Sequence, residues 1–239
     1  MEVYANGAGA RLKEDRSPVT EADLRSHRIL VGGLERLTPG IPVLSEESAE
    51  LAPYDERRAW GEFWLVDPLD GTKEFLKRNG QFTVNVALIR EGRPAAGVVY
   101  APASGLLYYS TCDGEAFKAE GSGEAMRLPR RRAASGDTLV VVGSLSHPSP
   151  EMEAFIQERR RHYREVRFVA MGSSLKICLV ADGGADVYPR FGPTMEWDTA
   201  AAHAVANATG CRVLRHNSDE ELRYNKEDLH NDWFVVLPQ

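Results

Sequence analysis

Apolar residues in this chain fall in short runs separated by turn residues, and the runs change character near the middle. Phe63 to Val66 reads as a buried strand. It ends on Asp67, and Pro68 removes a backbone donor and stops it. Thr72 to Phe75 opens a helix, with Asp70 or Thr72 as its cap. Ahead of this stretch, Leu24, His27, Ile29, Leu30, Leu34 and Leu37 mark an amphipathic helix that tolerates Gly32-Gly33. Thr20 caps it, and Asp23, three residues on, is a weak capping-box partner. Pro39-Gly40 is a turn, Ile41 to Leu44 a short strand, and Leu51 to Gly61 a charged connector.

Beyond residue 80 the period becomes that of strands. Phe82 to Ile89 alternates, Glu91-Gly92 turns, and Pro94 to Tyr100 returns. Leu106 to Ser110 and Glu115 to Lys118 flank the Asp113-Gly114 turn. This run of hairpins predicts an antiparallel sheet. Gly121 to Arg132 reads as a solvated linker ending in the basic triplet Arg130-Arg131-Arg132, and the domain boundary falls there, giving parts 1–132 and 133–239. In the second part strands alternate with helices, the pattern of an α/β layer. Thr138 to Val142, Val166 to Ala170 and Asp186 to Tyr188 are strands. Pro150 to Arg161 and Ser173 to Ala181 are helices. Asp198 to Thr209 is an Ala-rich helix that Asp198 caps and Gly210 ends. Val213-Leu214 and Trp233 to Leu237 close the domain.

Composition sets broad bounds. The 239 residues, 43% hydrophobic and 27% charged, are those of a soluble globular protein. With 29 Lys and Arg against 35 Asp and Glu, the net charge is −6. That argues against duplex nucleic acid as a partner, but not against an anionic small molecule held by local cations. Cys112, Cys178 and Cys211 lie far apart without ligand spacing, and fit reduced core thiols of a cytoplasmic protein. No run reaches the ~18 apolar residues of a transmembrane helix, and no secretory signal is visible at Met1.

Asp67 and Asp70 bracket a tight turn that feeds a helix start. Carboxylates there offer hard oxygens to Mg²⁺, and free N–H groups offer donors to a phosphate. Asp-Pro and Asp-Gly are also ordinary turn chemistry. Asp23 alone reads equally as a first-turn carboxylate, Glu46-Glu47 as solvated charge, Lys176 as a surface lysine and His147 as a loop histidine.

Asp67-Pro68-Leu69-Asp70-Gly71-Thr72 resembles the signature of the lithium-sensitive, Mg²⁺-dependent phosphatases of the inositol monophosphatase superfamily. Lys73-Glu74-Phe75 is similar to its continuation in the 3'(2'),5'-bisphosphate nucleotidase branch, whose bacterial members serve sulfur assimilation. The resemblance runs from about Tyr4 to the C-terminus. It implies a layered αβαβα sandwich, with an antiparallel sheet in the first half and mixed α/β structure in the second. It also implies a helix ahead of Asp23, of which only Met1 to Ala5 would be present here.

For the site, the resemblance implies two or three Mg²⁺ ions held by Glu46, Asp67, Asp70, Asp198 and the Leu69 carbonyl. Asp23 and the Thr72 hydroxyl orient the attacking water, and Gly71 and Thr72 N–H groups hold the transferred phosphate. His147, Ser173, Lys176 and Arg190 bind the rest of the substrate, although Leu145 stands where the branch commonly has arginine. Apart from the resemblance, Lys73 sits beside the phosphate cradle, where it could add positive charge. The implied reaction converts adenosine 3',5'-bisphosphate to AMP and phosphate, in a monomer or homodimer that is cytoplasmic, with a peripheral place at the inner face of the membrane as the alternative. The rivals are a sugar or inositol phosphatase, a non-catalytic phosphonucleotide sensor, and a nuclease for very short RNA.

Overall fold

Strand alternation over residues 83–110 gives the large sheet its two faces, and each face receives a different layer. The computed structural model describes residues 1–6, 9–12, 18–48, 51–129, 131, 136–144 and 149–239. Its first part runs α1 (Glu2–Asn6), β1 (Ala10–Leu12), β2 (Pro18–Thr20), α2 (Glu21–Leu37), β3 (Val43–Ser45), α3 (Tyr54–Arg57), β4 (Glu62–Asp70) and α4 (Thr72–Leu76). It continues through β5 (Thr83–Arg90), β6 (Arg93–Ala101), β7 (Leu106–Ser110), β8 (Ala116–Glu120) and β9 (Met126–Arg127). The second part runs β10 (Thr138–Gly143), α5 (Pro150–Arg159), β11 (Glu165–Ala170), α6 (Leu175–Asp182), β12 (Tyr188–Arg190), α7 (Glu196–Ala208), β13 (Cys211–Arg215) and β14 (Phe234–Pro238).

Strands β3 to β9 form one seven-stranded sheet in sequence order. All its pairs are antiparallel except β3 with β4, which are parallel. On one face lies α2, whose C-terminal Thr38 accepts a hydrogen bond from Trp64 Nε1 at 2.9 Å. On the other face Phe63, Leu65 and Val99 pack with Ala200, Ala201 and Val205 of α7. Beyond α6 and α7 stand β12-β14-β13 and the parallel pair β10-β11. Phe234 and Val236 of β14 face this shared core, while Val235 and Leu237 point away, toward α5 residues Met152 and Phe155. The order is α, β, α, β, α, as expected, and one hydrophobic cluster draws residues from both parts of the chain.

Several local expectations change. Pro68 does not stop β4, because the pairing with β5 shifts between Asp67 and Asp70. From Asp67↔Asn85 to Asp70↔Thr83, β4 advances one residue more than β5, and such a bulge tolerates a missing donor. Helix α4 is capped by neither Asp70 nor Thr72; Gly71 holds that position in the left-handed region. Asp198 is not the cap of α7 but sits one turn inside it, after Met195. Helix α2 keeps Ile29 and Leu37 exposed, at 72% and 80%, because it lies over β3 and β4 and offers them only part of its apolar stripe. Arg131 is not a solvated linker residue: its N–H donates to Thr209 O at 2.5 Å and its guanidinium lies 3.7 Å from Asp186. Arg130 and Arg132 lie outside the described residues. Cys178 and Cys211 are buried, but Cys112 is exposed, since it falls at the turn after β7. No described helix is long and apolar enough to cross a membrane.

The small residues of α7 let it approach the sheet closely. A Cβ on Gly97 of β6 would stand 2.2 Å from Ala201 O and 2.8 Å from Ala201 Cα. Backbone cannot yield as a side-chain tip can. Gly97→Ala is therefore expected to lose about 3 kcal/mol, the upper end of ordinary overpacking, measured by urea unfolding. An unchanged midpoint would refute this close approach.

Candidate active site

The β4 bulge and the turn after it put two carboxylates on one wall. Asp67 lies at the end of the paired stretch, and Leu69 N–H donates to its Oδ1 at 2.9 Å. Asp70 ends the strand, and Gly71 follows at φ +90°, ψ 44°. A side chain at Gly71 would be strained there and would stand 3.3 Å from Gln81 O. The opposite wall comes from the first turn of α7, where Asp198 Oδ2 accepts from Met195 N–H at 2.9 Å. Carboxylate oxygens of Asp67, Asp70 and Asp198 all lie within 4.8 Å of one another. Glu46 follows β3, its N–H bonded to Val66 O at 3.1 Å. It is close enough for its charge to act on both Asp67 and Asp198.

The electrostatics follow from burial and like charge. Burial first, then the charges of Glu46, Asp70 and Asp198, pushes the Asp67 carboxyl well above its ordinary range. Burial, then Asp70, does the same to Asp198. Asp70 is raised too, chiefly by burial, but Lys176, Ser174 N–H and Asn85 oppose the shift. A cluster of hard oxygens that its own fold leaves short of positive charge fits a divalent cation.

Beside the cluster lies a second construction. Asp23 is buried, and its Oδ2 accepts from Thr20 N–H at 2.8 Å and Thr20 Oγ1 at 2.5 Å. Its Oδ1 faces Thr72 Oγ1 at 3.3 Å, and that hydroxyl also lies 3.5 Å from the Leu69 carbonyl. The capping box of α2 thus aims Asp23 at α4. Motifs 49 residues apart meet in one hydrogen bond.

Asp70, Gly71, Ser173, Lys176, Arg190 and Asp198 line one cleft. Lys176 is buried, not a surface lysine, and its Nζ donates to Ser173 O at 2.6 Å. Burial pushes its ammonium down to about 8, against the pull of Asp70. Ser173 itself has φ +49°, a costly conformation for a residue with a Cβ. Arg190 is half-buried and donates to Pro193 O at 3.0 Å. Past Arg190 the cleft opens into a second hollow, lined by Lys73, Ser149, Tyr188 and Phe191. His147 lies outside the described residues.

Sequence reasoning missed the residues that hold Asp70. Ser174 N–H donates to Asp70 Oδ2 at 2.6 Å. Thr83 Oγ1 lies 3.4 Å from the same oxygen and 2.9 Å from Ser174 Oγ, which in turn donates to Asn85 at 2.8 Å. One signal was available: Thr83 and Asn85 are polar residues on the buried parity of an otherwise apolar strand.

The model of the inositol monophosphatase family matches residues 1–233. The protein from Salmonella typhimurium named 3'(2'),5'-bisphosphate nucleotidase CysQ is 50% identical over 215 residues, 89% of this chain and 83% of that one. The Haemophilus influenzae protein of the same name is 36% identical over 99% of this chain and 86% of its own. Among solved structures, CysQ from Bacteroides thetaiotaomicron superposes with a TM-score of 0.84 at 45% identity, covering 95% of this chain and 86% of that one. SaIMPase-II bound to inositol monophosphate superposes at 0.72 with 21% identity, over 91% of this chain and 79% of that one, a likeness of fold alone.

The raised carboxylates set a pH dependence. Asp67 and Asp198 bind their protons more tightly in the folded chain than in the unfolded one. The metal-free protein therefore loses stability as pH rises from the ordinary carboxylate range through the raised values. In chelator, the melting temperature is expected to fall over that window, and Mg²⁺ to restore it. Asp198→Asn should raise the metal-free melting temperature, by about 2–4 °C per kcal/mol of repulsion removed, and abolish the Mg²⁺ shift. A melting temperature indifferent to both pH and Mg²⁺ would contradict the cluster's electrostatics.

Proposed function

Because the chain belongs to the inositol monophosphatase family, we propose that it is a Mg²⁺-dependent 3'(2'),5'-bisphosphate nucleotidase. It hydrolyses adenosine 3',5'-bisphosphate to AMP and phosphate, and accepts the 5'-phosphosulfate analogue at the same site. One observation carries the reading: Asp70 and Asp198 of the carboxylate cluster line a single cleft with the buried cation Lys176 and with Arg190. Relatives of about 50% identity bear the nucleotidase name.

Glu46, Asp67, Asp70 and Asp198, with the Leu69 carbonyl, would hold the Mg²⁺; the set suits two or three ions. When bound, Mg²⁺ neutralises charge on phosphoryl oxygens and eases deprotonation of the attacking water. The chain's own residues do the rest. Asp23 is the acceptor toward which the Thr72 hydroxyl points, so the pair orients the water and receives its proton. Gly71 and Thr72 N–H groups lie where the turn leaves β4, placed to donate to the transferred phosphate. Lys176 and Arg190 bind the second phosphate, and Ser173, held at φ +49°, sets the wall between the phosphates. Lys73, in the hollow beyond Arg190, adds charge toward the same substrate.

The test is phosphate release with Mg²⁺, comparing adenosine 3',5'-bisphosphate with inositol 1-phosphate, fructose 1,6-bisphosphate and AMP. The bisphosphorylated nucleotide is expected to be preferred, Asp67→Asn to abolish turnover, and Asp23→Asn to lower kcat by about 10²–10⁴. Preference for a sugar phosphate would sink the roles of Lys176 and Arg190 and keep the metal cluster. Nucleotide binding without any turnover would favour a sensor.

A further inference from the structure

Asp198 is the one member of the carboxylate cluster carried by the second half of the chain, and its position depends on how the first turn of α7 is held. One oxygen is already committed, accepting from Met195 N–H at 2.9 Å. Met195 is held in turn. Its carbonyl accepts from Asn231 Nδ2 at 2.7 Å, and it forms a bridge with His230. Asn231 N–H donates to Thr194 O at 2.8 Å, and its Nδ2 also reaches Thr199 Oγ1 at 3.1 Å. The next residue, Glu196, is fully buried. Its N–H donates to Leu229 O at 2.9 Å. Its carboxylate accepts from Asn225 N–H at 2.6 Å, Lys226 N–H at 3.0 Å and Lys226 Nζ at 2.6 Å.

These hydrogen bonds to the start of α7 thus come from one irregular segment, residues 223–231. The segment is itself gripped from its far side. Arg57, buried, donates to Lys226 O at 2.5 Å, to Glu227 O at 2.8 Å and to Asn225 Oδ1 at 3.2 Å. Deeper along α7, Thr199 and His203 continue the polar stripe begun by Glu196, and both meet the Tyr224 hydroxyl, at 3.2 and 2.8 Å. A carboxylate with no exposure is a costly way to fasten a loop. A hydrophobic contact would serve stability as well. What the ionic contact adds is direction, since three donors fix the carboxylate and hence the residue two positions before Asp198.

We propose that segment 223–231 is a clasp that positions Asp198 for the metal, with Glu196 and Asn231 as the positioning residues. The proposal rests on the reading of the carboxylate cluster as a Mg²⁺ site. Removing the clasp leaves all the ligands in place but lets Asp198 turn with the frayed end of α7. Groups that orient ligands in this indirect way typically account for about 10–100-fold in metal affinity.

The test is calorimetric titration of the nucleotide-free protein with Mg²⁺, together with the Mg²⁺ dependence of phosphate release. Glu196→Ala and Asn231→Ala are expected to weaken the Mg²⁺ Kd by about 10-fold or more. Their kcat at saturating Mg²⁺ should stay within about 3-fold. Asn225 N–H and Lys226 N–H bond to different oxygens of the carboxylate, so Glu196→Gln keeps an acceptor for only one of them and should recover only part of the affinity. Tyr108→Phe removes a 2.6 Å bond to Asp182 that involves no clasp residue. It should lower the melting temperature without moving the Mg²⁺ Kd, which separates positioning from stability. Should Glu196→Ala not fold, Asn231→Ala carries the test alone. Folded clasp variants with an unchanged Mg²⁺ Kd would overturn the proposal. Wild-type protein that binds no Mg²⁺ would instead overturn the metal reading on which it rests.

Discussion

The fold concentrates like charge around one buried carboxylate, Asp67, and two half-buried ones, Asp70 and Asp198. Asp67, Asp70 and Asp198 bring oxygens within 4.8 Å of one another, and Glu46 adds its field. Such a cluster is unstable by itself, and the direction in which its carboxyls are shifted says so. Asp70 is partly relieved by Lys176, Ser174 and Asn85, and Asp198 by Met195 N–H and Arg190. The remaining deficit is what a divalent cation and then a phosphate ester are suited to fill in turn. Stability and function are therefore opposed here: the arrangement that weakens the metal-free protein is the one that makes it a catalyst.

The rest of the structure reads as the means of imposing that proximity. A bulge in β4 puts Asp67 and Asp70 on one wall without ending the strand. The left-handed Gly71 turns the chain sharply enough for Thr72 to face Asp23. Gly97 and the alanines of α7 let a helix from the second half lie against the sheet of the first, so that Asp198 can reach the cluster. The core that performs this joining is shared by both halves. The chemistry consequently depends on packing far from any ligand.

Much of this was legible in the sequence because it is local. The Thr20/Asp23 capping box, the hairpin alternation of β5 to β8 and the Asp-Gly-Thr turn all announce themselves over a few residues. The cluster was legible only through the resemblance, since nothing local links Asp198 to Asp67. What escaped was tertiary. Lys176 looks like a surface lysine, and only the fold buries it. Thr83 and Asn85 look like ordinary strand residues until Ser174 arrives to connect them to Asp70. Pro68 reads as a strand terminator because a bulge cannot be seen in one strand alone. Glu196 and Asn231 carry no motif; their partners come from an irregular segment whose path the sequence does not declare.

The most direct test of the account is anomalous diffraction from crystals of the protein soaked in Mn²⁺ as a Mg²⁺ substitute. The account predicts density within coordination distance of Asp67, Asp70 and Asp198 together, with Glu46 at its edge and Lys176 outside it. Density elsewhere, or a cluster that stays empty at millimolar Mn²⁺ in well-ordered crystals, would contradict it.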